Sequence, residues 1–229
     1  MSKKNSTPSH DQFEAVESAL SRTEQLIEDN SKTLTIVVVA IILVFGAVWG
    51  YRQYKKPIER DAQAQLFMAE QYFAKDSFNL ALNGDGNNLG FLDIIEDYGI
   101  TKAANLAEYY AGISYLHMEN YQEAIAHLEN FDSDDKMLHP IALGSMGDAH
   151  VELKELDKGL RFYEKAIDAS DNEFTAPIYL MKSALVYEQQ ANYEKALELY
   201  EKIRDKYPES AEAEDIEKHI GRAQALQNN

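Results

Sequence analysis

Residues 183–203 read SALVYEQQANYEKALELYEKI. A small pair, Ser183-Ala184, is followed by Tyr187, then Tyr193, Ala196, Tyr200 and Ile203. Steps of three, four and seven residues are those of amphipathic helices, and they predict a helix pair over 176–190 and 193–206. The same spacing occurs twice upstream. Met146-Gly147, His150, Leu156, Gly159, Tyr163 and Ala166 make one copy, and Ala111-Gly112, Tyr115, Tyr121, Ala124, Leu128 and Phe131 make the other. The copies are offset by 35 and 37 residues. They predict further pairs at 103–117 with 121–132 and at 140–153 with 157–169, so the repeats occupy 103–132, 140–169 and 176–206. A fixed period of this length is the mark of stacked units that bury one continuous core.

The pattern resembles the tetratricopeptide repeat, in which small residues let two antiparallel helices approach closely and aromatics fill the space between pairs. Pro208 falls where that family places its loop proline. A last helix at 210–226, opening on Ser210-Ala211, suits the terminal cap that a solenoid requires. Residues 57–100 are expected to form a divergent first unit. It would hold one long helix from Ile58 to Leu82, or two broken near Lys75-Asp76, and a short helix over Gly90 to Asp97. The fold class expected is all-α, a single N-terminal transmembrane helix followed by a tetratricopeptide-repeat-like α-solenoid.

By that resemblance, five positions of each first helix line a concave groove. They are Leu106, Tyr109, Ile113, Leu116 and His117, then Ile141, Gly144, Asp148, Val151 and Glu152, then Ile178, Met181, Leu185, Glu188 and Gln189. The groove reads as apolar at one level and acidic at the next. Relatives that grip a peptide carboxylate do so with Lys and Asn at such places, which this chain lacks, so acidic tails are excluded as ligands. Two readings of the apolar level stay open. It binds client segments through apolar anchors, or the chain's own helix 58–82 fills it.

Ahead of the repeats, Leu34–Tyr51 reads LTIVVVAIILVFGAVWGY, without a charge. Eighteen helical residues span about 27 Å, and flanking turns extend this to the thickness of a bilayer core. The run begins too late and is too long for a cleaved signal, and no small-x-small pattern follows it. It is therefore read as a retained anchor at 32–54. Trp49, Tyr51 and Tyr54 suit the headgroup layer. Gly46 and Gly50 form a G-x-x-x-G pair, the spacing that lets another membrane helix pack closely. A tail at 1–10 is expected to be disordered, and 11–31 an acidic amphipathic leader helix carrying Phe13, Val16, Leu20 and Ile27.

The chain of 229 residues has a formal net charge of −17, and from Pro57 onward 15 basic residues face 33 acidic ones. That balance excludes nucleic acid, whose phosphates require clustered Lys and Arg, and favours unfolded or basic client segments. With no cysteine there is no disulfide and no thiolate chemistry. The six histidines are scattered, and no zinc, P-loop, nucleophile-elbow or dinucleotide pattern occurs. No catalytic residue, metal or cofactor is expected. Asp85, Asn87, Gly90, Asp93 and Glu96 follow calcium-loop spacing, but Leu89 stands where an oxygen ligand is required. The stretch reads instead as a turn that caps a helix.

The full layout resembles the YfgM-like family, ancillary subunits of the bacterial SecYEG translocon. The matching residues are Gln12-Phe13-Glu14-Ala15-Val16, Trp49-Gly50-Tyr51-Arg52-Gln53-Tyr54 and Asp61-Ala62-Gln63-Ala64. The resemblance implies a non-enzymatic scaffold or client-handover subunit in the inner membrane, beside SecYEG and a PpiD-type membrane-anchored chaperone. It also implies a cytoplasmic N-terminus and a periplasmic repeat domain. The local charges point the other way. Arg52, Lys55, Lys56 and Arg60 follow the span while only Arg22 and Lys32 precede it, which by the positive-inside rule places the domain in the cytoplasm. A general repeat scaffold for another envelope complex is the alternative.

Overall fold

The computed structural model describes residues 30–228. The expected tail at 1–10 and nearly all of the expected leader helix at 11–31 lie outside the described residues. The chain divides into two units, Met1–Lys56 and Pro57–Asn229.

In the first unit the apolar run is helical. It belongs to α1 (Ser31–Phe73), which also supplies the opening of the second unit and contains Pro57. The most apolar stretch of α1 has no buried residue, and Leu34 to Val48 show their apolar side chains outward. In a water-soluble helix this would expose a large apolar surface on every side, whereas a bilayer solvates it. The chain thus carries one N-terminal helix long enough to span a membrane.

Pro57 does not end the helix, although the sequence suggested a fresh start there. Proline removes one backbone hydrogen bond, at a cost of up to about 3 kcal/mol in a helix interior. Here Gln53, whose carbonyl loses its partner, is exposed. The break comes later, after Phe73, where Asp76 adopts a left-handed φ of 55°.

The second unit is a succession of helices, each packed on the next. After α1 come α2 (Phe78–Asn83), α3 (Phe91–Tyr98), α4 (Lys102–His117), α5 (Tyr121–Asn130), α6 (Leu138–Glu152), α7 (Leu156–Ala169), α8 (Ala176–Gln189) and α9 (Tyr193–Lys206). A 3-10 turn, Ala211–Ala213, precedes α10 (Ile216–Gln227), so the terminal helix starts later than Ser210. This is an all-α, tetratricopeptide-like solenoid.

Small residues set the spacing within each pair. A Cβ on Gly112 would stand 2.5 Å from Leu128 of α5, one on Gly147 2.5 Å from the Tyr163 ring of α7, and one on Gly159 2.5 Å from Val151 of α6. Ala184 and Ala196 hold the same places between α8 and α9 and are fully buried. Close backbone approach here is what the small residues make possible.

The turn inside each pair is also repeated. Glu119, Lys154 and Ala191 all take φ near 60°. The next backbone N–H then reaches back along the helix, Asn120 to Tyr115, Glu155 to His150 and Asn192 to Tyr187, at 2.8–2.9 Å. This is the left-handed helix ending that satisfies the last carbonyls. Asp76 and the bond from Ser77 N–H to the Tyr72 carbonyl, 2.9 Å, reproduce it in residues 57–100. Ala69, Tyr72, Phe78 and Ala81 stand 43 residues ahead of Gly112, Tyr115, Tyr121 and Ala124. Residues 57–100 thus share this helix ending and this spacing, with a longer loop at 84–90.

In that loop the Asp85 carboxylate accepts the backbone N–H of Asn87 and Asn88 at 2.9 and 2.7 Å and the Tyr72 hydroxyl at 2.7 Å. The hydroxyl, then the backbone N–H groups, hold it well below the usual carboxylate range. Asp93 accepts the Gly90 N–H at the start of α3. These two acids of the calcium-like spacing are thus engaged in turn and cap.

Candidate protein-binding cleft

The fifteen groove positions do not remain together. At the first level Tyr109 is half-buried and Ile113 buried, both in a cluster with Phe131, Ala142 and Met146. Leu106 packs into the cluster that α1 makes with α3 and α4. Phe73, at the end of α1, closes on Tyr110 with ring centres 5.0 Å apart, and Phe78 of α2 stacks on His117 at 4.6 Å. The chain's own residues from 73 to 78 thus cover part of α4 at this level.

At the second level Ile141 is half-buried, and Gly144 lies beneath the Tyr179 ring of α8. An added Cβ at Gly144 would stand 1.8 Å from a ring carbon. At the third level Ile178 packs beside Tyr163, Ala166, Tyr179 and Val186, and Met181 joins the last cluster. Leu185 and Gln189 lie outside these clusters, with Leu185 exposed. Glu188 accepts a bond from Arg222 of α10 at 2.7 Å and is only 14% exposed. Burial, then the nearby Glu188 charge, pushes the Tyr200 hydroxyl up to about 12.

Five positions do meet. Leu116, His117, Asp148, Val151 and Glu152 line a cleft of about 470 Å³ at the C-terminal ends of α4 and α6. Glu119 and Tyr121 of the first turn, Tyr163 of α7 and Lys182 of α8 complete it. Asp148 is not an open acid there. It accepts the Tyr163 hydroxyl at 2.7 Å, and both its oxygens accept Lys182 Nζ, at 2.7 and 2.6 Å. Burial, with the Asp148 charge next, drives the Tyr163 hydroxyl far above its ordinary value, so this phenol stays a donor.

The carboxylates nearer solvent are those of Glu119, which is exposed, and Glu152. The cleft therefore presents acid at its rim, a neutralised pair at its floor and the apolar side chains of Leu116 and Val151 between. Its chemistry suits a cationic side chain with an aliphatic stem.

Lys182 was invisible as a groove residue because it lies 34 residues from its partner, which is one repeat length. Arg222 and Glu188 are also 34 apart, and Lys206 and Tyr207 reach Asp171 over 35 and 36. Opposite charges one period apart were the available signal.

Gly46 and Gly50 stand one turn apart on α1, and beyond the helix's own backbone nothing lies within 4 Å of an added Cβ. Trp49, Tyr51 and Tyr54 are exposed on the same helix. The chain has no cysteine, and among the described residues no group of three His, Asp or Glu side chains could hold a metal.

Fold and cleft together define a membrane-anchored repeat module of the scaffold and adaptor type. Residues 141–173 and 179–210 each match a model of the tetratricopeptide repeat. No curated protein sequence matches the chain. Among solved structures it is similar to a Podosopora anserina protein with nearly identical TPR-like repeats of kinesin light chain type, and to a point variant of that protein. Each comparison has 12% identity and a TM-score of 0.57, covering 75% of this chain and 88% of the other. At that identity the likeness concerns the fold.

Proposed function

We propose that this chain is a non-enzymatic membrane adaptor that holds a short basic segment of a partner or unfolded client in the cleft between α4, α6 and α8. Residues 32–54 serve as the anchor and 57–100, 103–132, 140–169 and 176–206 as the scaffold, closed by 210–226. The observation that carries this reading is the cleft itself, with Glu119 and Glu152 at its rim beside Leu116 and Val151. Charge on the rim gives orientation and approach rate, and the apolar wall gives residence. The Glu119→Lys, Glu152→Lys double variant should fold normally and lose recovery of the partner from membranes. Undiminished recovery would refute the reading.

A narrower reading makes the partner the bacterial SecYEG translocon with a PpiD-type chaperone, the repeat domain standing in the periplasm of the inner membrane. The resemblance at Trp49 to Tyr54 and Asp61 to Ala64 favours it, and Gly46 and Gly50 supply a face for a membrane helix. Co-purification of SecYEG after mild solubilisation, lost when the membrane helix is exchanged, is the expected result. Retention by a different complex would remove the translocon and leave the adaptor.

A further inference from the structure

A second groove, of about 510 Å³, lies between the second helices of two neighbouring pairs and shares no lining residue with the cleft. Its walls are α7 and α9 and its floor is α8. Leu180 and Ser183 of the floor are buried, with Leu160, Ile167, Tyr187 and Leu199 half-buried around them. Each wall contributes residues over about three helical turns, 157–168 on α7 and 192–202 on α9, so the groove runs for roughly 15 Å.

The preceding repeat shows why the space is open. Met146 and Phe162 stand 37 residues ahead of Ser183 and Leu199. There Met146 is buried, and Phe162 packs into the same cluster, beside Leu128 of α5. The smaller serine and leucine leave a groove in the corresponding place. Ser183 is only 5% exposed, and among the described residues its hydroxyl bonds no protein atom. Ser114, also in a first helix, instead bonds the Tyr110 carbonyl at 2.7 Å. A buried hydroxyl without a partner is costly, so the floor offers a polar atom to whatever fills the groove.

The walls carry opposite charge. On α7, three carboxylates, Asp157, Glu164 and Asp168, face one guanidinium, Arg161, a net −2, while Lys195 and Lys202 give α9 +2. Elsewhere opposite charges one period apart join neighbouring units, as Lys182 does with Asp148 and Lys206 with Asp171. Lys202 and Asp168 are likewise 34 apart, yet among the described residues no ion pair crosses the groove. Lys195 lies over the Tyr187 ring at 5.0 Å. Asp171, bonded first by Lys206 and Tyr207, also feels the charge of Lys202. Seven of the 15 basic residues after Pro57 lie on α7 and α9, against seven acids there, so this face does not repel an acidic surface as the rest of the unit does.

We propose that the groove takes an amphipathic helix of a partner protein, about three turns long. Its apolar stripe rests on Leu160, Ile167, Tyr187 and Leu199, its basic flank faces α7 and its acidic flank faces α9. A serine or asparagine within the stripe meets the Ser183 hydroxyl. A helix with flanks of one sign pairs with one wall and is repelled by the other. This contact is independent of what the cleft holds.

Three labelled synthetic helical peptides with one leucine stripe test it: one with a lysine flank and a glutamate flank, one with two lysine flanks, one with two glutamate flanks. Fluorescence anisotropy would be read on the full-length protein in phosphatidylcholine nanodiscs, against empty nanodiscs. The mixed peptide should bind about tenfold more tightly than either uniform one. Lys195→Glu, Lys202→Glu should reverse this preference in favour of the two-lysine peptide. Ser183→Met, Leu199→Phe, which installs the side chains of the preceding repeat, should abolish binding with an unchanged circular dichroism spectrum. Glu119→Lys, Glu152→Lys in the cleft should leave the mixed peptide bound. Equal affinity for the three peptides would overturn the proposal, as would indifference to the lysine reversal or to closure of the groove. So would loss of the mixed peptide on changing the cleft, or a dimer in sedimentation that the lysine reversal breaks, since the occupant would then be a second copy.

Discussion

Replacing Gly144 by alanine tests the packing that joins the second and third repeats. In an exposed helix the change is favourable by about 1 kcal/mol, because glycine has the larger conformational freedom to lose. In α6 the new methyl would stand 1.8 Å from Cε1 and 2.1 Å from Cζ of Tyr179, about half of an ordinary carbon contact of roughly 3.5–4.0 Å. The ring must move by about 2 Å to restore that contact. It is only 4% exposed and lies beside the stacked Tyr163, 6.0 Å away. Overpacking of this kind costs about 1–3 kcal/mol, and full expulsion of an aromatic ring about 3–5 kcal/mol.

A net loss of about 2 kcal/mol is expected after the propensity gain, which for a unit of this size lowers Tm by roughly 4–8 °C. Thermal melts of the full chain in detergent would measure it. Gly221→Ala in α10, where nothing lies within 4 Å of the new methyl, should instead keep or raise Tm. Adding Gly144→Ala to Tyr179→Ala should cost far less than adding it to the wild type, since the ring is gone. A Gly144→Ala protein that melts at or above the wild-type temperature would refute the reasoning.

Three smaller predictions follow from the caps and turns. Thr101 accepts the Ala104 N–H at 3.0 Å at the start of α4, so Thr101→Ala should cost about 1 kcal/mol in a denaturant titration. Lys154 occupies a left-handed position with φ 63°, and Lys154→Gly should gain stability of up to about 1 kcal/mol, the same titration deciding the sign. Asp85 is depressed chiefly by the Tyr72 hydroxyl, so its contribution is present above the ordinary carboxylate range and is lost as pH falls through the folded value. The Tm gap between wild type and Tyr72→Phe should accordingly narrow on acidification, and a constant gap from neutral to acidic pH would contradict this.

Much of the fold was legible because its constraints are local. The small residues Gly112, Gly147, Gly159, Ala184 and Ala196 recur where helices must touch, and the uncharged run from Leu34 to Tyr51 has no other solvent than lipid. Residues 57–100 were harder to read. Ala69, Tyr72, Phe78 and Ala81 keep the same spacing 43 residues upstream, but the longer loop at 84–90 hides it. Helix α1 passes Pro57 because one lost bond is tolerable where the freed carbonyl is exposed.

The groove was less legible. Position in the repeat says which way a side chain starts out, but not what arrives from the neighbouring unit. Tyr179 fills the space over Gly144, Lys182 neutralises Asp148, and Phe73 and Phe78 cover part of α4. These contacts join residues about one repeat apart or more, so they depend on how the units stack.

Photo-crosslinking from Tyr121 in intact membranes, with a photoreactive residue in its place, tests most directly whether the cleft holds a partner. A discrete adduct is expected that disappears with Glu119→Lys, Glu152→Lys and persists when the charge is reversed at Glu201 on α9, outside the cleft. No adduct from Tyr121, or one indifferent to the rim charges, would contradict it.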